Sequence, residues 1–236
     1  MIDTVLFDLD GTLLPMDQEQ FVNTYLGLLA KKLAPYGYEP KHLVAGIWAG
    51  IQAMVENDGS RTNEEAFWAD FCQIFGEGAR KDLPLFEEFY AANFAQTRTV
   101  CGFAAEAAQI VGLLRQRGVT VALATNPLFP EIATRQRIRW AGLDPAELAL
   151  VTTYENSRHC KPNPDYYREV LEKLGKQPES CLMVGNDVLE DMVPAREVGM
   201  AVFLLTGCLI NKQRSDISQY PHGGFGELKE FLLKHL

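Results

Sequence analysis

The sequence TVLFDLDGT, residues 4–12, decides the fold and points to the chemistry of this chain. Residues 4–7 are mostly β-branched or bulky and apolar, which predicts a buried strand. Two carboxylates, Asp8 and Asp10, follow directly, and buried charges without a partner are costly. Two acids so close together also repel each other and raise each other's pKa. A divalent cation relieves both the cost of burial and this repulsion. We therefore expect Asp8 and Asp10 to meet a metal ion and a phosphate group at the carboxyl end of this strand.

The composition is that of a globular, acidic chain. Its 236 residues are 47% hydrophobic, and its formal net charge is -9. Because it lacks long basic runs, the chain is a poor candidate for nucleic-acid binding. Its five cysteines are scattered and form no C-x-x-C pair. That pattern is typical of free thiols in a reducing cytosol rather than of disulfides or a zinc site.

The N-terminus and the hydrophobic pattern bear on location. Residues 1–3 lead directly into the first strand, without the basic and apolar segments of a signal peptide. No apolar run approaches the roughly 20 residues that span a bilayer. We therefore expect a cytoplasmic protein with no membrane or nucleic-acid partner, and the sequence indicates no oligomeric state.

Residues 15–99 form a long segment in which helix-forming residues dominate. The apolar residues between Phe21 and Leu33 recur at helical spacing, and helices are also predicted over residues 42–55 and 85–94. No part of the segment has a convincing strand pattern. We predict that it forms an all-helical module inserted after the first strand.

After about residue 100, predicted strands and helices alternate. The strands are expected at residues 120–124, 148–152, 180–184 and 201–205, and the helices at residues 104–117, 130–141, 165–174, 188–198 and 227–235. Such alternation predicts an α/β fold whose parallel sheet is covered by helices on both faces. The predicted domains are therefore an α/β core of residues 1–14 and 100–236 and a helical cap of residues 15–99.

Polar residues follow each of the later strands. They are Thr125 and Asn126 after the second strand, Lys161 in the loop after the third, and Asp187 and Asp191 after the fourth. Each alone is ordinary, because Thr and Asn before proline make turns, most lysines are solvated, and acids at the start of a helix cap it. Their common position is informative, since ligands of parallel sheets bind beyond the carboxyl ends of the strands.

The same residues lie in four short motifs. These are DLDGT at residues 8–12, ATN at 124–126, KPNP at 161–164 and VGND at 184–187. Taken in this order, they resemble the haloacid dehalogenase-like (HAD) superfamily, whose first motif is D-x-D-G-T. The helical segment lies between the first two motifs, where this family's C1-type caps occur, as in phosphoglycolate phosphatases and phosphomutases. The resemblance implies a Rossmann-like core and an inserted helical cap.

The resemblance also implies roles for the first motif. Asp8 would be the nucleophile that attacks phosphorus and forms an aspartyl-phosphate. Asp10 would protonate the leaving alkoxide and then deprotonate the attacking water. Mg²⁺ is the implied cofactor, held by the carboxylates of Asp8 and Asp187 and by the backbone carbonyl of Asp10. The implied function is that of a magnesium-dependent phosphatase acting on a small phosphate ester.

The second and third motifs would bind the phosphate. Thr125 would hydrogen-bond a phosphate oxygen, assisted by the backbone N–H of Asn126. Lys161 would neutralise the phosphate charge as a point cation. Donors arranged in advance in this way are each typically worth on the order of 10²-fold or more in rate.

The fourth motif can be aligned in two ways. One alignment places Asn186 and Glu190 in the acid positions, and the other uses Asp187 and Asp191. We prefer the second because it supplies two carboxylates. In this alignment Asp187 binds the metal, and Asp191 either supports the metal ligands or contacts the metal through a water molecule.

Other functions are compatible with these motifs. A sugar phosphomutase shares all four, whereas a phosphonatase needs a lysine from the helical segment that no pattern marks. A dehalogenase is disfavoured by Asp10, because the family's dehalogenases do not use a second acid there in this way. A non-catalytic protein that binds a phosphate ligand or regulates through it is the alternative from a different class. The substrate itself is not readable, because side chains of the helical segment choose it.

Overall fold

The computed structural model describes residues 1–236, and its centre is a five-stranded parallel sheet. The strands are β1 (Thr4–Phe7), β2 (Thr120–Leu123), β3 (Cys181–Gly185), β4 (Ala201–Leu205) and β5 (His222–Gly223). Their order across the sheet is β2-β1-β3-β4-β5, and every neighbouring pair is parallel. In sheets of this order, the ligand site lies where β1 and β3 run side by side and the strand order reverses.

Helices cover both faces of the sheet. They are α5 (Ala105–Gln116), α6 (Glu131–Trp140), α7 (Pro164–Leu174), α8 (Val193–Glu197) and α9 (Phe225–His235). Because side chains of a strand alternate between faces, Val5 and Phe7 of β1 enter the hydrophobic cluster shared with α5, α6 and α9. Leu6 enters a second cluster, shared with α7 and α8. The α/β fold predicted from the alternating pattern is confirmed.

The segment between β1 and α5 consists of helices joined by turns and contains no strand. Its α-helices are α1 (Gln18–Leu33), α2 (Pro40–Val55), α3 (Asn63–Phe75) and α4 (Leu83–Glu88), and short 3₁₀ and π turns continue to Val100. We call residues 15–99 the helical insert. Its status as a separate domain stays a prediction, because one hydrophobic cluster of 44 residues runs through the insert and the sheet-bearing part alike. No helix of the chain is both long and apolar enough to cross a membrane.

The chain enters and leaves the insert through two adjacent segments. The backbone N–H of Gly102 donates to the carbonyl of Pro15 at 2.7 Å. Met16 and Cys101 form an isolated antiparallel bridge beside it. The two connections are therefore held together as one narrow attachment.

A second attachment joins the start of α3 to the loop before residue 161. Asn63, the first residue of α3, is fully buried, and its backbone N–H donates to the carbonyl of Ser157 at 2.8 Å. Its side-chain amide donates to the carbonyl of His159 and lies near the Cys160 sulfur, both at 3.3 Å. A helix begins with unsatisfied N–H groups, and here the loop supplies acceptors for them.

Two expectations about strands were wrong. Residues 149–152 run along the edge of β2, and three backbone hydrogen bonds join the two segments, but only Val151 forms a β-bridge, to Leu123, so the segment is not a full strand of the sheet. A two-residue strand, β5, lies at residues 222–223, where no strand was predicted. Two predicted helices are also interrupted, since π turns occupy Phe89–Asn93 after α4 and Val188–Met192 before α8.

Candidate active site

The carboxyl end of β1 places Asp8 in a buried pocket. Its backbone N–H donates to the carbonyl of Val184 in β3 at 2.9 Å, so the sheet fixes its position. The Asp8 residue is only 7% exposed. Its Oδ1 accepts a hydrogen bond from Lys161 Nζ at 3.0 Å, and its Oδ2 accepts one from Thr12 Oγ1 at 3.1 Å. Asp8 is thus held between a lysine and a threonine.

Lys161 is the buried cation of this pocket. Its Nζ donates to Asp8 Oδ1 at 3.0 Å and to Asp191 Oδ1 at 2.6 Å, and the residue is 1% exposed. Burial opposes the lysine charge, but the carboxylates of Asp191 and Asp8 outweigh it and raise the pKa of Lys161 well above its usual range. A charged lysine fixed between two acids can neutralise an anion that arrives beside Asp8.

Asp191 reaches the pocket through the π turn that precedes α8. Its Oδ1 contacts the lysine, and its Oδ2 accepts the backbone N–H groups of Asn186 and Asp187, both at 3.0 Å. Gly185 permits this approach, because a Cβ at that position would overlap the Asp191 carboxylate. Asp191 therefore accepts three hydrogen bonds, one from the lysine and two from the loop.

Asn186 lies directly beside the first motif. Its Oδ1 is 3.0 Å from Thr12 Oγ1, and its Nδ2 donates to the carbonyl of Cys208 at 2.7 Å. Gly11 adopts φ +88°, and a Cβ there would collide with the Asn186 side chain. The glycine of the first motif therefore serves both the turn and the close approach of Asn186.

Asp187 occupies a different position. Its Oδ1 accepts the backbone N–H groups of Leu189 and Glu190 at 2.7 and 3.1 Å, so its carboxylate caps the following turn. The structure thus brings the side chain of Asn186 next to the first motif and engages that of Asp187 elsewhere. The preferred alignment of the fourth motif, in which Asp187 shares a metal with Asp8, stays a prediction, since the second carboxylate oxygen of Asp187 takes no hydrogen bond within the chain.

Asp10 pairs with a buried arginine that sequence reasoning missed. Arg137 of α6 is fully buried, and its Nη1 forms an ion pair with Asp10 Oδ2. Its Nη2 donates to Thr134 Oγ1 at 3.2 Å, and the guanidinium lies 4.3 Å from the centre of the Phe129 ring. The apolar spacing of α6 contained a signal, because Arg137 falls four residues after buried Ala133.

The two oxygens of the Asp10 carboxylate have different surroundings. Oδ2 is held by Arg137, whereas Oδ1 is buried without a hydrogen-bond partner in the chain. Burial raises the pKa of Asp10 more than the Arg137 charge lowers it, and the charge of Asp8 raises it further. The backbone carbonyl of Asp10 accepts the Gln18 side chain at 3.2 Å.

Thr125 and Asn126 form the turn after β2. The Thr125 carbonyl accepts hydrogen bonds from the hydroxyls of Thr152 at 2.7 Å and Tyr166 at 2.8 Å, which fix the turn. The Thr125 hydroxyl and the Asn126 backbone N–H take no partner within the chain. The Asn126 side chain accepts the backbone N–H of Lys161 at 3.3 Å. This turn therefore positions the lysine loop and keeps two donors free.

The pocket contains more acids than bases. No three His, Cys, Asp or Glu side chains are arranged to hold a metal ion among themselves. Mutual charge effects nevertheless connect one set of ionisable groups in the pocket, which comprises Asp8, Asp10, Asp187, Glu190, Asp191, Lys161 and Arg137. Burial raises the pKa of Asp10, Glu190 and Asp191, which lowers the negative charge that the set carries. A cation bound here would favour the ionised forms of these acids.

The oxygens around Thr12 fit a magnesium ion. Asp8 Oδ2 and Asn186 Oδ1 lie 3.1 and 3.0 Å from Thr12 Oγ1, which has a single hydrogen to donate. One of the two acceptors therefore lacks that hydrogen and can serve a cation instead. Carboxylate, amide and carbonyl oxygens are the ligands that Mg²⁺ uses in proteins.

The sequence around this site matches a known protein family. The family described as haloacid dehalogenase-like hydrolase matches residues 2–199. The chain belongs to the haloacid dehalogenase-like hydrolase family. This match covers all four motifs and the helical insert, so the resemblance inferred from the motifs is confirmed, and the chain is an enzyme of the hydrolase class.

Individual relatives of this HAD hydrolase carry several different names. It is 27% identical over 207 residues to the phosphoglycolate phosphatase of Salmonella typhimurium, covering 83% of this chain and 77% of that protein. It is 40% identical over 62 residues to the phospholysine phosphohistidine inorganic pyrophosphate phosphatase of Xenopus laevis, but spans only 22% of that protein. The solved 2-haloacid dehalogenase of Pseudomonas syringae pv. Tomato shares the fold, with 20% identity, 99% coverage of both chains and a TM-score of 0.63.

Proposed function

We propose that this HAD hydrolase is a Mg²⁺-dependent phosphatase that cleaves a small phosphate monoester through an aspartyl-phosphate on Asp8. The observation that carries the proposal is the geometry around Asp8. Its carboxylate is buried against a charged lysine, and Asp10, two residues on, has one oxygen fixed and one without a partner. The similarity to the phosphoglycolate phosphatase of Salmonella typhimurium supports the reaction class.

In the first half of the reaction, a carboxylate oxygen of Asp8 attacks phosphorus. The bond between phosphorus and the leaving alkoxide breaks, and the alkoxide takes a proton from Asp10 Oδ1, the oxygen that Arg137 leaves free. Lys161 neutralises charge on the phosphoryl group, and the Thr125 hydroxyl donates to one of its oxygens.

In the second half, water attacks the aspartyl-phosphate. Asp10, now deprotonated, takes a proton from that water, and the acyl-phosphate breaks to release inorganic phosphate and restore the Asp8 carboxylate. Arg137 holds the same Asp10 oxygen throughout, so Oδ1 is the atom that gives and regains the proton. We also propose that the helical insert acts as a cap that excludes bulk water during turnover, and that the enzyme works in the cytoplasm.

The proposed ligands for Mg²⁺ are the Asp8 carboxylate, the Asp10 backbone carbonyl and the Asn186 amide oxygen. The ion supplies positive charge that lowers the repulsion between Asp8 and an incoming phosphate. Asn186 replaces Asp187 in this set because its oxygen lies beside Thr12, whereas the Asp187 carboxylate caps a turn.

This ligand set predicts a clear difference between two neighbouring substitutions. We expect Asn186→Ala to weaken the apparent affinity for Mg²⁺ by about 10–100-fold, the range found when groups that support a metal are removed. Asp187→Asn should change it by less than about threefold, because asparagine also caps helix starts. Titration of activity with Mg²⁺ measures both. A larger effect of Asp187→Asn would restore the alignment with two carboxylates.

The reaction class is tested by phosphate release over phosphorylated sugars, nucleotides, glycolate and polyols. With Mg²⁺ present, at least one ester should yield inorganic phosphate, and EDTA should lower that rate by on the order of 100-fold or more. Added Mg²⁺ should restore it. Isomerisation of a sugar phosphate without phosphate release would indicate a phosphomutase. Binding of esters without any turnover would indicate a non-catalytic phosphate-binding protein.

A further inference from the structure

An apolar cavity lies between the helical insert and the turn after β2. Its volume is about 160 Å³, and 13 of its 14 lining residues are hydrophobic. The walls come from α1, α2, α3, α4 and the π turn after α4, and the floor comes from Leu128–Pro130 and Tyr154. A dry apolar cavity of about 150 Å³ is known to hold one benzene molecule. This cavity therefore has the size of a single six-membered ring.

The cavity lies near the proposed phosphate site. Phe129 lines it, and the same ring lies 4.3 Å from the Arg137 guanidinium, which pairs with Asp10. Val22 and Trp48 line both the cavity and a neighbouring cleft that contains Gln18. Gln18 donates to the Asp10 carbonyl at 3.2 Å. A group bound in the cavity can thus extend along this cleft toward the Asp10 backbone.

One polar atom in the cavity wall lacks a partner. Trp68 lines the cavity and is 2% exposed, and its indole N–H is buried without a hydrogen bond in the chain. Tyr154 lies close to the indole but does not reach hydrogen-bond geometry with it. Leaving a buried donor unsatisfied is costly, so proteins seldom keep one without a use. The other two phenols of the wall, Tyr25 and Tyr90, bond to each other at 2.8 Å.

We propose that the substrate's alcohol is apolar, with one aromatic or aliphatic six-membered ring that fills this cavity and one acceptor that reaches the Trp68 N–H. The inference rests on the proposed phosphatase function and deepens it. A ring gains free energy by leaving water for this cavity, whereas a glycolate or pyrophosphate group would leave the cavity empty. The helical insert therefore selects esters by the apolar bulk of the alcohol.

The test compares esters whose leaving alcohols have similar reactivity. Benzyl phosphate and ethyl phosphate are both primary alkyl esters, and we expect kcat/KM to favour benzyl phosphate by on the order of 100-fold, because even one methylene in an apolar pocket is worth 10-fold or more. 2-Naphthylmethyl phosphate should lose most of this advantage because its second ring exceeds the cavity. Equal kcat/KM for the benzyl and ethyl esters would overturn the proposal.

Variants of α2 test whether the cavity is the cause. Ile51 lines the cavity, and Ile51→Phe should fill it and reduce the ratio of kcat/KM for benzyl over ethyl phosphate at least about 10-fold. Val55 lies one turn further along the same helix, is also partly buried and does not line the cavity. Val55→Phe is therefore the matched control and should leave the ratio unchanged. An unchanged ratio in Ile51→Phe places the preference elsewhere and refutes the cavity assignment.

The indole donor has its own test. The three pyridylmethyl phosphates match benzyl phosphate in size and add one ring acceptor. At least one isomer should exceed benzyl phosphate in kcat/KM by about 10-fold, the upper range for one added hydrogen bond. Trp68→Phe should abolish that excess. If no isomer exceeds benzyl phosphate, the acceptor part of the proposal is wrong.

Binding without turnover separates this inference from the proposed function. Benzyl alcohol should raise the melting temperature of the wild-type chain and of Val55→Phe, and should do so less for Ile51→Phe. If no ester releases phosphate but benzyl alcohol binds in this pattern, the phosphatase proposal fails and the apolar site stands. If esters are hydrolysed without preference and benzyl alcohol does not bind, the cavity proposal fails and the phosphatase stands.

Discussion

Asp8→Asn is expected to lower kcat by roughly 10⁴-fold or more while the fold is kept. Loss of a covalent nucleophile has effects of at least this size in well-studied enzymes, because no other group can form the intermediate. The substitution is nearly isosteric, and Lys161 keeps its 2.6 Å contact with Asp191, so the buried lysine is not left unpaired. Phosphate release from the best substrate of the ester panel measures the effect, with circular dichroism as the check on folding.

Two comparisons make this result specific. Asp3→Asn changes a carboxylate just before the same strand, where the side chain is 57% exposed and pairs with Lys176, and it should leave kcat unchanged. In the wild type, acid quenching during turnover should trap phosphate on Asp8, as found by mass spectrometry of the peptide that contains it. Residual activity above about 1% in both Asp8→Asn and Asp8→Ala would exclude Asp8 as the nucleophile.

Arg137→Met is expected to destabilise the chain by about 3–5 kcal/mol, the usual result of removing one partner of a buried ion pair. Methionine preserves much of the apolar stem but leaves the Asp10 carboxylate without its cation. The free energy of unfolding, measured by urea denaturation, reports the loss. Activity should fall as well, since Asp10 loses the contact that fixes one of its oxygens.

A matched variant and a double variant show whether the buried charge is the cause. Arg135→Met lies on the same helix, where the arginine is 40% exposed and pairs with Glu131, so it should cost less than about 1 kcal/mol. Asp10→Asn combined with Arg137→Met removes both charges and should recover a large part of the stability lost in Arg137→Met alone. Equal losses in the single and double variants would show that packing, and not charge, explains the effect.

The parts of the fold that depend on hydrophobic pattern could be predicted from the sequence. β1, β3 and β4 are short apolar runs bounded by turn residues, and the long helices of the insert show clear apolar spacing. The strand predictions failed where contacts with other parts of the chain, and not the local pattern, determine whether a strand forms. Residues 148–152 have a strand-like pattern and make backbone hydrogen bonds with β2, but they form only one β-bridge, and β5 is too short to leave a pattern.

The motifs that form the candidate site could be predicted from the sequence, but the directions of their side chains could not. Asp8 and Lys161, far apart in sequence, do meet in the structure, as their places after the strands indicated. The choice between Asn186 and Asp187 depends on which side chain the π turn leaves beside the first motif, and sequence spacing does not reveal a π turn. Arg137 escaped notice because a charged residue on a helix is normally solvated, and only its buried partner makes it a core residue.

The attachment of Asn63 to the loop before residue 161 links the position of α3 to the position of that loop. Any movement that lifts α3 away must break the bonds of Asn63 to Ser157 and His159, which lie just before Lys161 in the chain. The loop that supplies the positive charge is thereby held by the insert as well as by Asn126 and by the two acids around Lys161. Under the proposed role of the insert as a cap, opening of the insert would therefore remove part of the support of the loop that carries Lys161.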